Sequence, residues 1–185
     1  MKLMMSPIPL FVMLMLTLPQ IAFANTPSDL TTVAYVDPVR YTGQWFEIAK
    51  IPNSFQRKCL ASKAEYTLKK GKLGVLNTCT LKNGKVKKAS AIALIKDKET
   101  NAKLKVSFVP LVNHLGWFGG DYWIIELDEK DYSYVLVGHP KRTFFWLLAR
   151  TPIIEEGLYN SLLDRAVELG YKKSDIIKSP TWNKE

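Results

Sequence analysis

The chain has 185 residues, enough for one domain, and 47% of them are apolar, as in a globular protein rather than a disordered one. Lysine and arginine (26) outnumber aspartate and glutamate (17), giving a formal charge of +9 and favouring an anionic partner. There is no G-x-S-x-G elbow and no phosphate-binding glycine loop, so nothing in the chain reads as a serine hydrolase or a nucleotide-binding enzyme.

Residues 1–24 read as a removable leader. Lys2 gives a positive start, 8–18 is mostly apolar, and Ala22-Phe23-Ala24 supplies the small-x-small pattern of a signal-peptidase site. The apolar run is short and carries Pro7, Pro9 and Pro19, which makes a permanent membrane span the weaker reading. All five methionines fall here, at positions 1, 4, 5, 13 and 15, marking a break in composition before a mature domain of 25–185. The leader holds no cysteine to accept a lipid, so the expectation is a soluble exported protein, periplasmic or secreted. Export removes nucleic acid as the anionic partner and leaves lipid or envelope surface. It also bears on Cys59 and Cys79, the only cysteines: an even count in an exported chain suggests one disulfide, the alternative being two buried free thiols.

After a polar, irregular stretch at 25–39, the pattern becomes short strands separated by turn signals. The strands are expected at 43–51, 61–68, 73–81, 86–95, 103–109, 121–127, 132–139 and 143–150. Asn83-Gly84 is a strong hairpin turn between the third and fourth. Pro110 closes the fifth and Pro140 the seventh. Beyond Thr151-Pro152 the period changes: Leu158, Leu162, Leu163, Ala166 and Val167 recur at helical spacing, with Pro152 suited to a first turn and Gly170 to a stop. One apolar face on this helix predicts packing outside the sheet. Eight strands with short connections predict an up-and-down meander, closed as a barrel or left open as a sandwich.

In a closed meander the start of the first strand and the end of the eighth meet at one end. Those positions are Trp45 and Arg150, where a guanidinium over an indole would close a floor, worth about 0.5–2 kcal/mol. Cys59 and Cys79 both fall at the opposite end, on neighbouring strands. Three motifs agree with this closure, one of them in part. Tyr41-Thr42-Gly43-Gln44-Trp45-Phe46-Glu47-Ile48-Ala49 resembles the first signature of the lipocalins, in particular bacterial lipocalins similar to apolipoprotein D. Leu147-Leu148-Ala149-Arg150-Thr151-Pro152 resembles the third signature, and Gly120-Asp121-Tyr122-Trp123 resembles the second in part. The resemblance runs from about Val39 to Ser179 and implies a mainly β fold: an eight-stranded antiparallel up-and-down barrel with a C-terminal α-helix packed outside.

The resemblance also implies a barrel floor of Gly43, Trp45 and Arg150, and an interior that binds a ligand. Alternation of side chains from Trp45 and Arg150 then assigns the lining of the first and eighth strands, and on the other strands the phase is what the family resemblance implies. Glu47 and Ala49 come from the first strand, Tyr66 from the second, Val75 and Asn77 from the third. Ala91 and Ala93 follow on the fourth, Val106 and Phe108 on the fifth, Tyr122 and Ile124 on the sixth, Val137 on the seventh and Trp146 on the eighth. The alanines leave volume that larger side chains would fill, the alternative being that they sit beneath bulky neighbours such as Trp146 in a packed barrel. Glu47 is the one carboxylate in this set and needs a partner, since a lone buried charge is costly.

The four connections at the other end, 53–60, 82–88, 111–120 and 139–142, contain no acid. They place Arg57, Lys85, Lys87, Lys141 and Arg142 around the mouth, with Trp117 and Phe118 as a mobile or lipid-dipping element. His114 and His139 lie there too, without a third metal ligand, so no metal site and no cofactor is expected. The implied function is binding and transport of a small hydrophobic or amphiphilic ligand, a fatty acid or lysophospholipid, in envelope maintenance or stress. Two other readings stay open: an enzyme acting on a lipid held in the barrel, and a basic surface module docking on anionic envelope.

Overall fold

The structure, a computed structural model, describes residues 29–108 and 119–182. The leader expected at 1–24, and Trp117 and Phe118, expected at the mouth, lie outside the described residues. Eight antiparallel strands follow in chain order: β1 (Gly43–Lys50), β2 (Cys59–Lys69), β3 (Lys72–Leu81), β4 (Val86–Ile95), β5 (Lys103–Ser107), β6 (Gly120–Leu127), β7 (Tyr134–Gly138) and β8 (Phe145–Ala149). Each pairs with the next, and β1 pairs with both β2 and β8, so the sheet closes. Closure removes the exposed edges that a sandwich would keep and leaves an inside and an outside to every strand.

The closing strand is shared unevenly. Gly43 to Phe46 pair with β2, whereas Phe46 to Lys50 pair with β8. A short ninth strand, β9 (Ile177–Lys178), covers the part of β1 that β2 leaves, pairing with Lys50 and Ala49. The Ser179 amide extends this ladder to the Ile48 carbonyl at 2.8 Å. β9 is absent from the expected strands because two residues are too few to show a period.

A single turn of helix, α1 (Pro38–Tyr41), precedes β1. Asp37 caps it, accepting from the Val39 amide at 2.8 Å, and Pro38 occupies a position whose missing N–H costs nothing. The outer helix, α2 (Glu156–Glu168), begins after Pro152, which lies in the preceding linker and not in the first turn. Tyr159, Leu162, Leu163 and Ala166 are buried beneath it; Val167, expected on the apolar face, is 46% exposed. Gly170 ends the helix with φ +87°, a conformation in which a side chain would be strained.

Two apolar cores result, one on each side of the barrel wall. The inner core joins Val36, Tyr41, Trp45, Tyr66, Leu104, Ile124 and Val135. The outer core joins Phe46, Ile48, Leu136, Phe145 and Leu147 to the buried face of α2.

Candidate functional site

The floor is built from the junction of α1, β1 and the end of β8. The Arg150 guanidinium lies 3.8 Å from the centroid of the Trp45 indole. It also donates to four backbone carbonyls: Tyr132 at 3.1 Å, Thr42 at 2.8 Å, Gln44 at 3.1 Å and Arg40 at 2.6 Å. Gly43 is needed here, with φ +93° and the Arg150 guanidinium 3.2 Å from where a Cβ would sit. The Trp45 indole is fully buried and donates to the Tyr41 carbonyl at 2.9 Å. The segment before β1 seals the same end: the Val36 amide bonds Thr100 and the Asp37 amide bonds the Tyr132 hydroxyl.

Above the floor, three tyrosines meet. The Tyr122 hydroxyl lies 2.7 Å from that of Tyr41 and 2.8 Å from that of Tyr66. Burial raises all three: Tyr66 to about 12, and Tyr41 and Tyr122 well above the ordinary phenol value. They remain neutral donors across the physiological range. Tyr41 lies in α1, before the first expected strand, so strand alternation had no way to assign it.

The wall above is apolar and small. Ala64, Val75, Ala91, Ala93, Ile124 and Val137 belong to the inner core, with Val106, Tyr122 and Trp146 packed against it. Asn77 pairs with Ala64 and Ala89 and shares their inward face by register. Phe108 is different: the last β5–β6 pair is Val106 with Gly120, so Phe108 lies beyond the ladder and is 47% exposed at the mouth.

Ala49 also departs from the expected lining. The β1–β8 register slips between Glu47 and Ala49, as in a β-bulge. Glu47 stands opposite inward Leu148, but Ala49 then stands opposite outward Leu147 and joins the core under α2. Lys50, opposite Trp146, turns inward instead. The bulge thus puts a base beside the acid. Lys50 Nζ donates to Glu47 Oε1 at 2.6 Å, with the two side chains only 7% and 3% exposed. Ser179 Oγ donates to the same oxygen at 2.7 Å, and Gln56 Nε2 donates to Oε2 at 2.7 Å. Gln56 Oε1 in turn accepts from Trp146 Nε1 at 2.9 Å and Asn53 Nδ2 at 2.8 Å. Glu47 therefore has the partners that its burial demands, from three separate segments of the chain. Asn53 and Gln56 sit in a loop with no periodicity, and their role in this network had no sequence signal.

The rim combines cations with aromatics. Arg57, Lys85, Lys87 and Lys141 are exposed. Arg142 does not join them: its Nε donates to the Leu169 carbonyl at 2.7 Å, where the end of α2 offers unpaired carbonyls and the negative end of the helix dipole. Phe55, 61% exposed, lies 5.7 Å from Phe144, which stacks on Trp146 at 5.9 Å. Just outside, Asp121 pairs with Lys105 at 3.1 Å and approaches His139 at 3.9 Å. Partial burial lowers the His139 pKa, against the pull of Asp121. Cys59 and Cys79 form a disulfide at this end, joining β2 to β3 beside the Ser62–Cys79 pair.

Residues 36–181 match the sequence family described as a lipocalin-like domain. The chain is 40% identical over 156 residues to temperature-induced lipocalin-1 of Arabidopsis thaliana, covering 82% of this chain and 83% of that one. It is 34% identical over 153 residues to the outer membrane lipoprotein Blc of Escherichia coli K12, covering 82% of each. Among solved structures, insecticyanin from the tobacco hornworm Manduca sexta aligns with a TM-score of 0.63 at 20% identity, over 84% of this chain and 86% of that one, a likeness of fold.

Proposed function

This chain belongs to the lipocalin family, which implies binding of a small hydrophobic ligand, and we propose that it is an exported carrier of fatty acids or lysophospholipids in the cell envelope. The observation that carries this reading is the lining: short apolar side chains on the wall, and a rim where Arg57, Lys85, Lys87 and Lys141 stand with exposed Phe55 and Phe108. An acyl tail in such a barrel gains about 0.8 kcal/mol per buried methylene, so the tail dominates gross affinity. Association and ordering costs then set the net value. The head group, a carboxylate or phosphate, stays at the rim, where Arg57, Lys85, Lys87 and Lys141 favour negative charge and speed encounter. The leader and the disulfide both fit an oxidising compartment outside the cytoplasm. The relative from Escherichia coli is named an outer membrane lipoprotein, which supports an envelope address.

Native mass spectrometry of the protein purified from its own envelope, followed by lipid extraction, identifies the cargo. Neutralising Lys85, Lys87 and Lys141 together should weaken lysophosphatidate or palmitate binding at low salt and change little at high salt. A protein that carries no lipid and binds neither probe ends the carrier reading.

A further inference from the structure

We propose, resting on the carrier reading, that the Tyr41–Tyr122–Tyr66 cluster is a recognition site for a neutral oxygen acceptor, such as a ketone, carried on the buried part of an otherwise apolar ligand.

The argument is a count of hydrogens. Each phenol has one O–H to donate and an oxygen that accepts. The cluster holds three such groups joined by two hydrogen bonds, Tyr41 to Tyr122 and Tyr66 to Tyr122. However those two bonds are oriented, one O–H is left over. Among the described residues, none of the three hydroxyls has a further hydrogen-bond partner. An unspent donor in an apolar interior is costly, and an incoming acceptor relieves that cost.

Exposure favours one placement of the spare hydrogen. Tyr41 is fully buried, its ring packed 5.2 Å from Trp45 and 5.2 Å from Tyr66, and Tyr66 is only 4% exposed. Tyr122 is the inward-facing member that is not fully buried. If Tyr41 and Tyr66 both donate to Tyr122, its own O–H is the free one, on the member of the cluster with the most surface left uncovered. The chemistry selects the class. All three phenols are held protonated by burial, which penalises negative charge at this depth. A carboxylate is therefore refused here and stays at the rim, while a ketone is accepted. An amphiphile with an anionic head and an oxygenated tail satisfies both ends of the barrel.

The test uses the mature chain and a series of palmitate analogues in which one ketone is moved along the tail, titrated calorimetrically against palmitate. In a purely apolar barrel every ketone weakens binding, because the carbonyl loses its water. With the cluster acting as proposed, one ketone position binds about three- to tenfold more tightly than palmitate, the value of one net neutral hydrogen bond. The infrared C=O stretch of that bound analogue shifts to lower frequency, and Tyr122→Phe removes both the preference and the shift. If palmitate binds and every ketone analogue is weaker, or if the preference survives Tyr122→Phe, the cluster is structural and this proposal fails while the carrier reading stands. If neither palmitate nor any analogue binds, both fail.

Discussion

The two ends of the barrel bury charge in opposite ways. At the floor a lone cation, Arg150, is held by neutral groups: four carbonyls and one indole face. At the mouth an acid is held by a base, Glu47 by Lys50, with Gln56 and Ser179 completing its shell. The floor partners are mostly main chain, fixed once the strands form. The mouth partners are side chains from a bulge, a loop and the C-terminal tail, each of which must be positioned separately. A cation over carbonyls ties adjacent backbones together; the ion pair ties a bulge, a loop and the tail together through their side chains. The end whose partners are backbone closes the cup, and the end whose partners are side chains from three segments lies opposite.

This contrast can be broken experimentally at several points. The largest effect is expected at the mouth pair. Glu47→Ala leaves Lys50 buried without its acid, and urea unfolding should show a loss of about 3–5 kcal/mol. The double change Glu47→Gln with Lys50→Met should recover much of it, since the cost lies in the orphaned charge. A smaller loss is expected at the floor. Arg150→Met keeps contact with Trp45 but frees four carbonyls at a half-exposed edge, for about 3 kcal/mol by the same measurement. If the floor change proves the more costly, the ranking of the two ends is reversed.

The smallest effect is a pH dependence at the floor-end turn between β6 and β7. Asp128 accepts from the Lys130 amide at 3.2 Å, the Asp131 amide at 3.3 Å and the Ser133 amide at 3.2 Å. Slight burial works to raise its carboxyl, but the Ser133 hydroxyl and these amides outweigh it and hold the pKa below the ordinary aspartate value. A pKa lower in the folded than the unfolded state stabilises above the unfolded value, and that contribution is lost as pH falls through the folded one. The stability difference between wild type and Asp128→Asn should therefore be full at neutral pH, about 1 kcal/mol, and close below the ordinary aspartate range.

Most of the architecture was legible in the sequence because meanders carry their geometry in strand order. Once the family resemblance chose a closed barrel over a sandwich, counting connections brought Trp45 under Arg150 and put both cysteines at one end. What escaped reading was whatever breaks a period. The run Phe46-Glu47-Ile48-Ala49-Lys50 gives no hint of a bulge, yet the bulge sends Ala49 out and Lys50 in. Phe108 followed the alternation of β5 past the point where its ladder ends. Arg142 was placed by its loop, but the end of α2 is a nearer and better acceptor than the open rim. Tyr41 was missed as a lining residue because α1, signalled by Asp37-Pro38, was read as irregular chain.

The outer core has a consequence for how the protein behaves when vacant. Phe46, Leu136, Phe145 and Leu147 pack with Tyr159, Leu162, Leu163 and Ala166 on the side of the wall away from the barrel interior. That layer serves as a keel: it keeps the hull upright with no cargo aboard. Nothing in the hold is needed to make those contacts, so the ballast is the protein's own.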